Sequence, residues 1–104
     1  MALNASVTLQ SANGMRTVVL KDFYKGVRKT VMTPDEMLVD ISFPAMNSGA
    51  RGTFIKLALR RAQAISIIDA AIILDMEANT VKSASIALGA VAPTIIHAAE
   101  AERY

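Results

Sequence analysis

The sequence predicts an α+β protein built from antiparallel sheet segments with a few short helices. Three observations predict it. Alternating polar and apolar residues flank an Asn13-Gly14 pair near the start, a second alternation runs from Val81 to Val91, and short helix-forming stretches lie between and after them. Of the 104 residues, 53% are apolar and 19% charged, a balance that places the chain among folded proteins with a modest core.

In chain order, Val7 and Leu9 alternate with Ser6, Thr8 and Gln10, and Arg16 to Leu20 resumes an extended pattern after Asn13-Gly14. An Asn-Gly pair suits a type I′ turn, whose two central residues need positive φ, so a hairpin over Val7–Leu20 turning at Asn13-Gly14 is predicted. Lys21 to Gly26 reads as one helical turn, with Asp22 as N-cap and Gly26 as stop. Thr33-Pro34-Asp35-Glu36 reads as a break, because the residue before proline is pushed out of the helical region. Met37 to Phe43 reads as extended and ends at Pro44, while Ala45 to Gly52, with its Asn47, Ser48, Gly49 and Gly52, reads as loop and as the boundary between two structural units.

From Thr53 to Glu77 the residues point two ways. Leu57 to Ala62 are good helix formers, and Ile65, Ile68, Ile72 and Met76 fall near helical spacing. The same stretch carries five isoleucines between Ile65 and Leu74, and β-branched side chains favour strands. Asn79 marks a turn. Val81 to Val91 alternates Ser83 and Ser85 with Ala84, Ile86 and Leu88, a strand with one polar face. Ala92-Pro93-Thr94 breaks it, and Ile95 to Tyr104 reads as a helix capped by Thr94.

Composition excludes several functions. The absence of cysteine removes disulfides, thiol nucleophiles and iron–sulfur ligation from this chain. With His97 as the single histidine, no His-based metal site or Ser-His-Asp triad is supported, and a lone His near a chain end reads as a solvated helix residue. A net charge of +2, with basic clusters only at Lys21–Lys29 and Arg60-Arg61 and few aromatics among them, points away from nucleic acid. The longest apolar run, Ala70 to Leu74, lies between Asp69 and Asp75 and is too short to span a bilayer. The first residues lack the basic and apolar regions of a signal peptide, so a cytoplasmic location is expected.

No catalytic constellation stands out. Asp35-Glu36 reads as a solvated turn rather than an acid–base pair. Gly89 to Pro93 lacks the glycine spacing and lysine of a phosphate loop. Arg60-Arg61 beside an apolar segment reads as a snorkelling surface pair before it reads as an anion clamp.

The order of the motifs is more specific than any one of them. It runs Arg16 to Val18, Asp22 to Thr30, Pro34 to Leu38, Ile41 to Pro44, Phe54 to Lys56, Arg60-Arg61, Ala87 to Thr94, and Ala98 to Glu100. This series resembles, nearly from end to end, the FAD-carrying medium subunit of the molybdenum hydroxylases, the family of xanthine and carbon monoxide dehydrogenases. The resembling part is the end of the FAD-binding domain (residues 1–45) followed by the first part of the C-terminal domain (residues 46–104).

The resemblance implies a multi-subunit oxidoreductase. A substrate is hydroxylated at molybdopterin in a large subunit, and electrons pass through [2Fe–2S] clusters in a small subunit to FAD in the medium one. The flavin then hands them to NAD, a quinone or oxygen. It also implies that Phe54–Leu59, about Ile67–Met76 and Val81–Gly89 are antiparallel strands. Two flavin contacts carry over: Leu38, whose main chain would touch the isoalloxazine, and Lys56, which would sit beside the ring. Arg61 resembles a family arginine in a charge cluster near the flavin. The glycine-rich loops that hold the FAD pyrophosphate lie upstream in the family, outside this sequence. The resemblance therefore implies a piece of the subunit, inactive by itself and unable to retain FAD alone. The competing expectation is a non-catalytic α+β interaction module, homodimeric through exposed sheet edges.

Overall fold

Alternation at the start of the chain becomes a hairpin. Strand β1 (Ser6–Ser11) pairs antiparallel with β2 (Gly14–Val19), with Ser11 opposite Gly14. The tip is therefore Ala12-Asn13, one residue earlier than the Asn-Gly signal placed it. Only Gly14 of the expected pair has a positive φ, +134°, and the Asn13 N–H donates instead to Ser11 Oγ at 3.2 Å. A serine just before the tip thus supplies a local turn bond that competes with the type I′ geometry.

The computed structural model describes residues 1–104 and falls into two compact units, Leu3–Pro44 and Ala45–Tyr104. In the first unit, α1 (Leu20–Phe23) follows β2 directly, and the short strands β3 (Tyr24–Gly26) and β4 (Lys29–Thr30) form a second ribbon. This corrects the helical turn expected over Lys21–Gly26. Asp22 lies inside the helix rather than capping it, and Gly26 sits in a strand at φ +155°. The cause is tertiary: Phe23 turns into the core, 5% exposed, and its carbonyl accepts from Val31 N–H, which pulls the following residues into an extended ribbon. The chain returns as β5 (Met37–Ser42), antiparallel to β1, giving the sheet order β2-β1-β5. Val7, Leu9 and Phe23 form the core beneath the central strand, with Val18, Leu20, Val31 and Met32 packed around them.

The second unit is a four-stranded antiparallel sheet ordered β6-β7-β8-β9, made of β6 (Ala50–Ala58), β7 (Ser66–Glu77), β8 (Thr80–Gly89) and β9 (Ile96–His97). The β-branched reading of the ambiguous stretch prevails over the helical one. The loop expected to reach Gly52 ends earlier, because β6 begins at Ala50, and Ala78-Asn79 makes the β7–β8 turn with Ala78 at φ +54°.

Two further expectations are corrected here. Ser85, Ala87 and Gly89 share the more covered face of β8 instead of a polar outer face, and the Ser85 hydroxyl is buried without a partner. The final helix is only α2 (Ala99–Arg103), and its N-cap position is Ala98, not Thr94. Ile96 and His97 pair with Leu88 and Ala87 as an added edge strand. There the ladder and the β preference of isoleucine outweigh the helix formers around them. No helix is long and apolar enough to cross a membrane.

Candidate functional site

Leu38 lies on β5, an outer strand whose six residues are all exposed. Its partner across the ladder is Leu9, which is fully buried, so Leu38 shares the side of the sheet that faces the core and is held at the rim of that core. The ladder pairs Thr8 with Asp40 and Leu9 with Leu38, leaving Val39 as an extra residue. A bulge of this kind bends the strand, re-aims side chains and leaves main-chain groups outside the ladder. Met37, Ile41 and Phe43 are exposed alongside. The strip thus combines apolar surface with the open N–H and C=O groups of an edge strand.

Lys56 lies on β6, the outer strand of the other unit's sheet, directly opposite Asp69, which is in turn opposite Gly89. Direct cross-strand partners share one face, so the Lys56 and Asp69 side chains stand side by side. Asp69 lies over Gly89, its carboxylate occupying the space where a Cβ on that glycine would stand. Even so, the Lys56 ammonium donates to the Ala64 carbonyl, at 2.6 Å. Ala64 belongs to the β6–β7 loop, which Arg60 closes by donating from Nε and from its terminal nitrogen to the Gln63 carbonyl at 3.1 and 2.6 Å. Gln63 takes φ +47° in that turn, and Ile67, skipped by the ladder, makes a bulge just beyond it.

The ion pairs of the chain are Arg16–Glu36, Glu77–Lys82 and His97–Glu102. Lys56, Arg60 and Arg61 join none of them, so the loop end of β6 carries three cations outside any ion pair, an arrangement that would favour negative charge on a bound group. No group of three or more His, Asp or Glu side chains gathers to hold a metal.

Two of these ion pairs escaped the sequence. Glu36, expected to be solvated, receives Arg16 through two bonds of 2.5 and 2.8 Å and Thr33 N–H at 2.8 Å, and its side chain is only 10% exposed. These donors hold its carboxyl down from 4.5 to about 2. Because the folded-state value is depressed, the pair contributes stability above about pH 4.5 that disappears as pH falls towards 2. Melting temperatures between pH 5 and 2 should therefore drop more steeply for the native protein than for Glu36→Gln. Parallel curves would mean that Glu36 titrates alike in the folded and unfolded chains.

His97, expected on a solvated helix, instead sits on β9 with Nδ1 2.7 Å from Glu102 Oε1. The same oxygen accepts from Ile86 N–H at 2.6 Å, and these two partners, His97 first, lower the Glu102 carboxyl. The contact ties α2 to β8, with His97 on the edge strand opposite to that of Lys56.

Comparison with known proteins gives two consecutive family matches. The model described as FAD binding domain in molybdopterin dehydrogenase covers residues 1–46, and the one described as CO dehydrogenase flavoprotein C-terminal domain covers residues 53–104. Xanthine dehydrogenase/oxidase of Gallus gallus is 31% identical over 92% of this chain, which spans 7% of that protein. The carbon monoxide dehydrogenase medium chain of Hydrogenophaga pseudoflava is 33% identical over 91% of the chain, which spans 33% of it. A crystal structure of the Cu,Mo-CO dehydrogenase in its cyanide-inactivated form superposes with a TM-score of 0.91 at 32% identity, over 98% of this chain and 35% of that one. The chain thus spans about a third of the medium chains it matches and under a tenth of the longer xanthine dehydrogenase.

Proposed function

The chain belongs to the FAD-binding flavoprotein family of the molybdenum hydroxylases, and from that premise we propose that it serves in the electron path of such an enzyme. In this reading electrons arrive from [2Fe–2S] clusters in a small subunit, after hydroxylation of a substrate at molybdopterin in a large subunit. Bound FAD would supply the two-electron chemistry that passes them to an acceptor. Residues 1–45 act as the end of the FAD-binding domain and residues 46–104 as the first part of the flavoprotein C-terminal domain. The enzyme works in the cytoplasm.

Two residues, one in each unit, support the flavin reading. Leu38 offers bulged, open main chain within an apolar strip, and Lys56 offers an ammonium that forms no ion pair. The observation that carries the reading is the second of these. A cation whose only bond is to a neutral carbonyl keeps its charge available to a ring that becomes more negative on reduction. In the same reading the exposed apolar side chains Phe54, Ile55, Leu57 and Ile68 are buried in the assembled enzyme, against its other subunits or a second copy.

Purification from the native host tests this. Flavin absorbance should accompany the chain, together with subunits bearing molybdopterin and iron–sulfur. A flavin-free preparation lacking such subunits would refute the reading.

A further inference from the structure

The Asn13-Gly14 pair that marks the hairpin also brings together an amide carbon and a backbone nitrogen able to react with each other. Attack by the Gly14 nitrogen on Asn13 Cγ closes a succinimide ring, and two things ordinarily prevent such a step. A side chain on the following residue shields the nitrogen, or a hydrogen bond holds the asparagine amide away. Neither operates here. Gly14 has no side chain, and the space around the place of its Cβ is empty to 4 Å. Both residues are exposed at the tip. The turn is fixed through the Asn13 main chain, whose N–H donates to Ser11 Oγ at 3.2 Å, and the side-chain amide is left without a partner.

The other three asparagines are each hindered. The Asn47 amide donates to Asp75 Oδ1 at 3.0 Å. Asn79 precedes Thr80, a β-branched residue already paired with Glu77 in the ladder. Asn4 precedes Ala5, which is buried at 7% exposure and whose carbonyl holds Leu20 N–H.

We propose that Asn13 is a self-modification site that converts, in the folded protein, to aspartate and isoaspartate. The Gly14 nitrogen yields its proton to solvent base and bonds to Asn13 Cγ, the Cγ–Nδ2 bond breaks, and ammonia leaves. Water then opens the imide at one of its two carbonyls, with no change of oxidation state. Opening at Cγ gives aspartate on an ordinary backbone. Opening at the main-chain carbonyl gives isoaspartate, whose backbone runs through Cγ and is one carbon longer. That carbon falls between Ser11 and Gly14, the pair that closes the β1–β2 register. Because the turn sets the register, isoaspartate loosens the hairpin and aspartate does not.

The test incubates the 104-residue chain in mildly alkaline buffer and follows each asparagine by peptide mass, with isoaspartyl methyltransferase reporting the longer linkage. Asn13 should convert first, at a rate that rises in proportion to hydroxide. Asn13→Gln should abolish the reaction there, since glutamine would have to close a larger ring. Gly14→Ala should slow it by shielding the nitrogen, and because alanine is strained at φ +134° the comparison is repeated with both chains unfolded in urea. If Asn13 persists in the folded chain while the urea-unfolded chain converts, the hairpin protects it and the proposal is overturned. Earlier conversion of Asn47 or Asn79 overturns it equally. After ion-exchange separation, the isoaspartate form should melt below the native protein and the aspartate form with it; identical melting of all three overturns the effect on the hairpin.

Discussion

Replacing Leu9 with alanine is expected to cost about 3 kcal/mol of stability in the first unit. Leu9 is fully buried at the centre of the middle strand, packed with Val7 and Phe23. Removing its branched end leaves a void that a sheet pinned on both sides by β2 and β5 cannot collapse to fill. Small domains are stable by only about 5–15 kcal/mol in total, so this loss is large. Tyr24 supplies the probe, since its ring meets Phe23 edge-on at 5.0 Å and the chain has no tryptophan. Denaturant unfolding followed by the Tyr24 near-UV signal should show a lower midpoint at unchanged slope, and Leu9→Met should recover most of the loss. Because Leu9 stands directly opposite Leu38, amide exchange at Leu38 should also accelerate. A cost below about 1 kcal/mol would mean that the core is not centred on this strand.

The parts of the fold that can be read from sequence are those decided by neighbours in the chain. Alternation over Ser6 to Leu20 gives the hairpin because one face, Val7 and Leu9, is buried and the other is not. Where burial is not one-sided, the pattern fades. Strand β7 lies between β6 and β8 with intermediate burial along most of its length, so its isoleucines do not alternate with polar residues and a helical spacing fits them equally well. The short helices depart from their local signals for a different reason. Phe23 and Ile96 follow tertiary demands, a core contact in one case and a ladder in the other, and both override the local cap and stop signals.

Lys56 and Leu38 were reachable from sequence only through the resemblance, since an isolated lysine or leucine on a strand carries no signal of its own. What surrounds them is less visible still. The Ala64 and Gln63 carbonyls are main-chain groups that any residue could present. Asp69 is placed by a register that follows from pairing, not from composition, and the Val39 bulge has no marker in residue type. Arg16 and Glu36 meet only because β5 returns beside β1, twenty positions later in the chain. Side chains that act through folded geometry, in short, leave no periodic trace.

The charge on Lys56 is where geometry and proposed function meet most directly. Lys56→Met keeps most of the packing volume of the stem and removes only the ammonium, so stability should change little: the side chain is exposed and its one bond is to a loop carbonyl. The flavin should respond. One unit charge about 4 Å from the ring is worth roughly 4 kcal/mol at an effective dielectric near 20. Solvent exposure and delocalisation over the ring reduce this to about 1–2 kcal/mol. For a two-electron couple that corresponds to a fall of about 20–45 mV in flavin potential. The sign follows from the charge: a cation stabilises the more negative reduced ring, so its loss favours the oxidised form. Spectroelectrochemical titration of the flavin-bearing enzyme measures the shift. Reduction of the molybdenum centre by substrate should be unaltered, because in this reading that chemistry takes place in another subunit, while transfer from flavin to acceptor should change. An unmoved potential with unchanged turnover would make Lys56 an ordinary surface lysine of an edge strand.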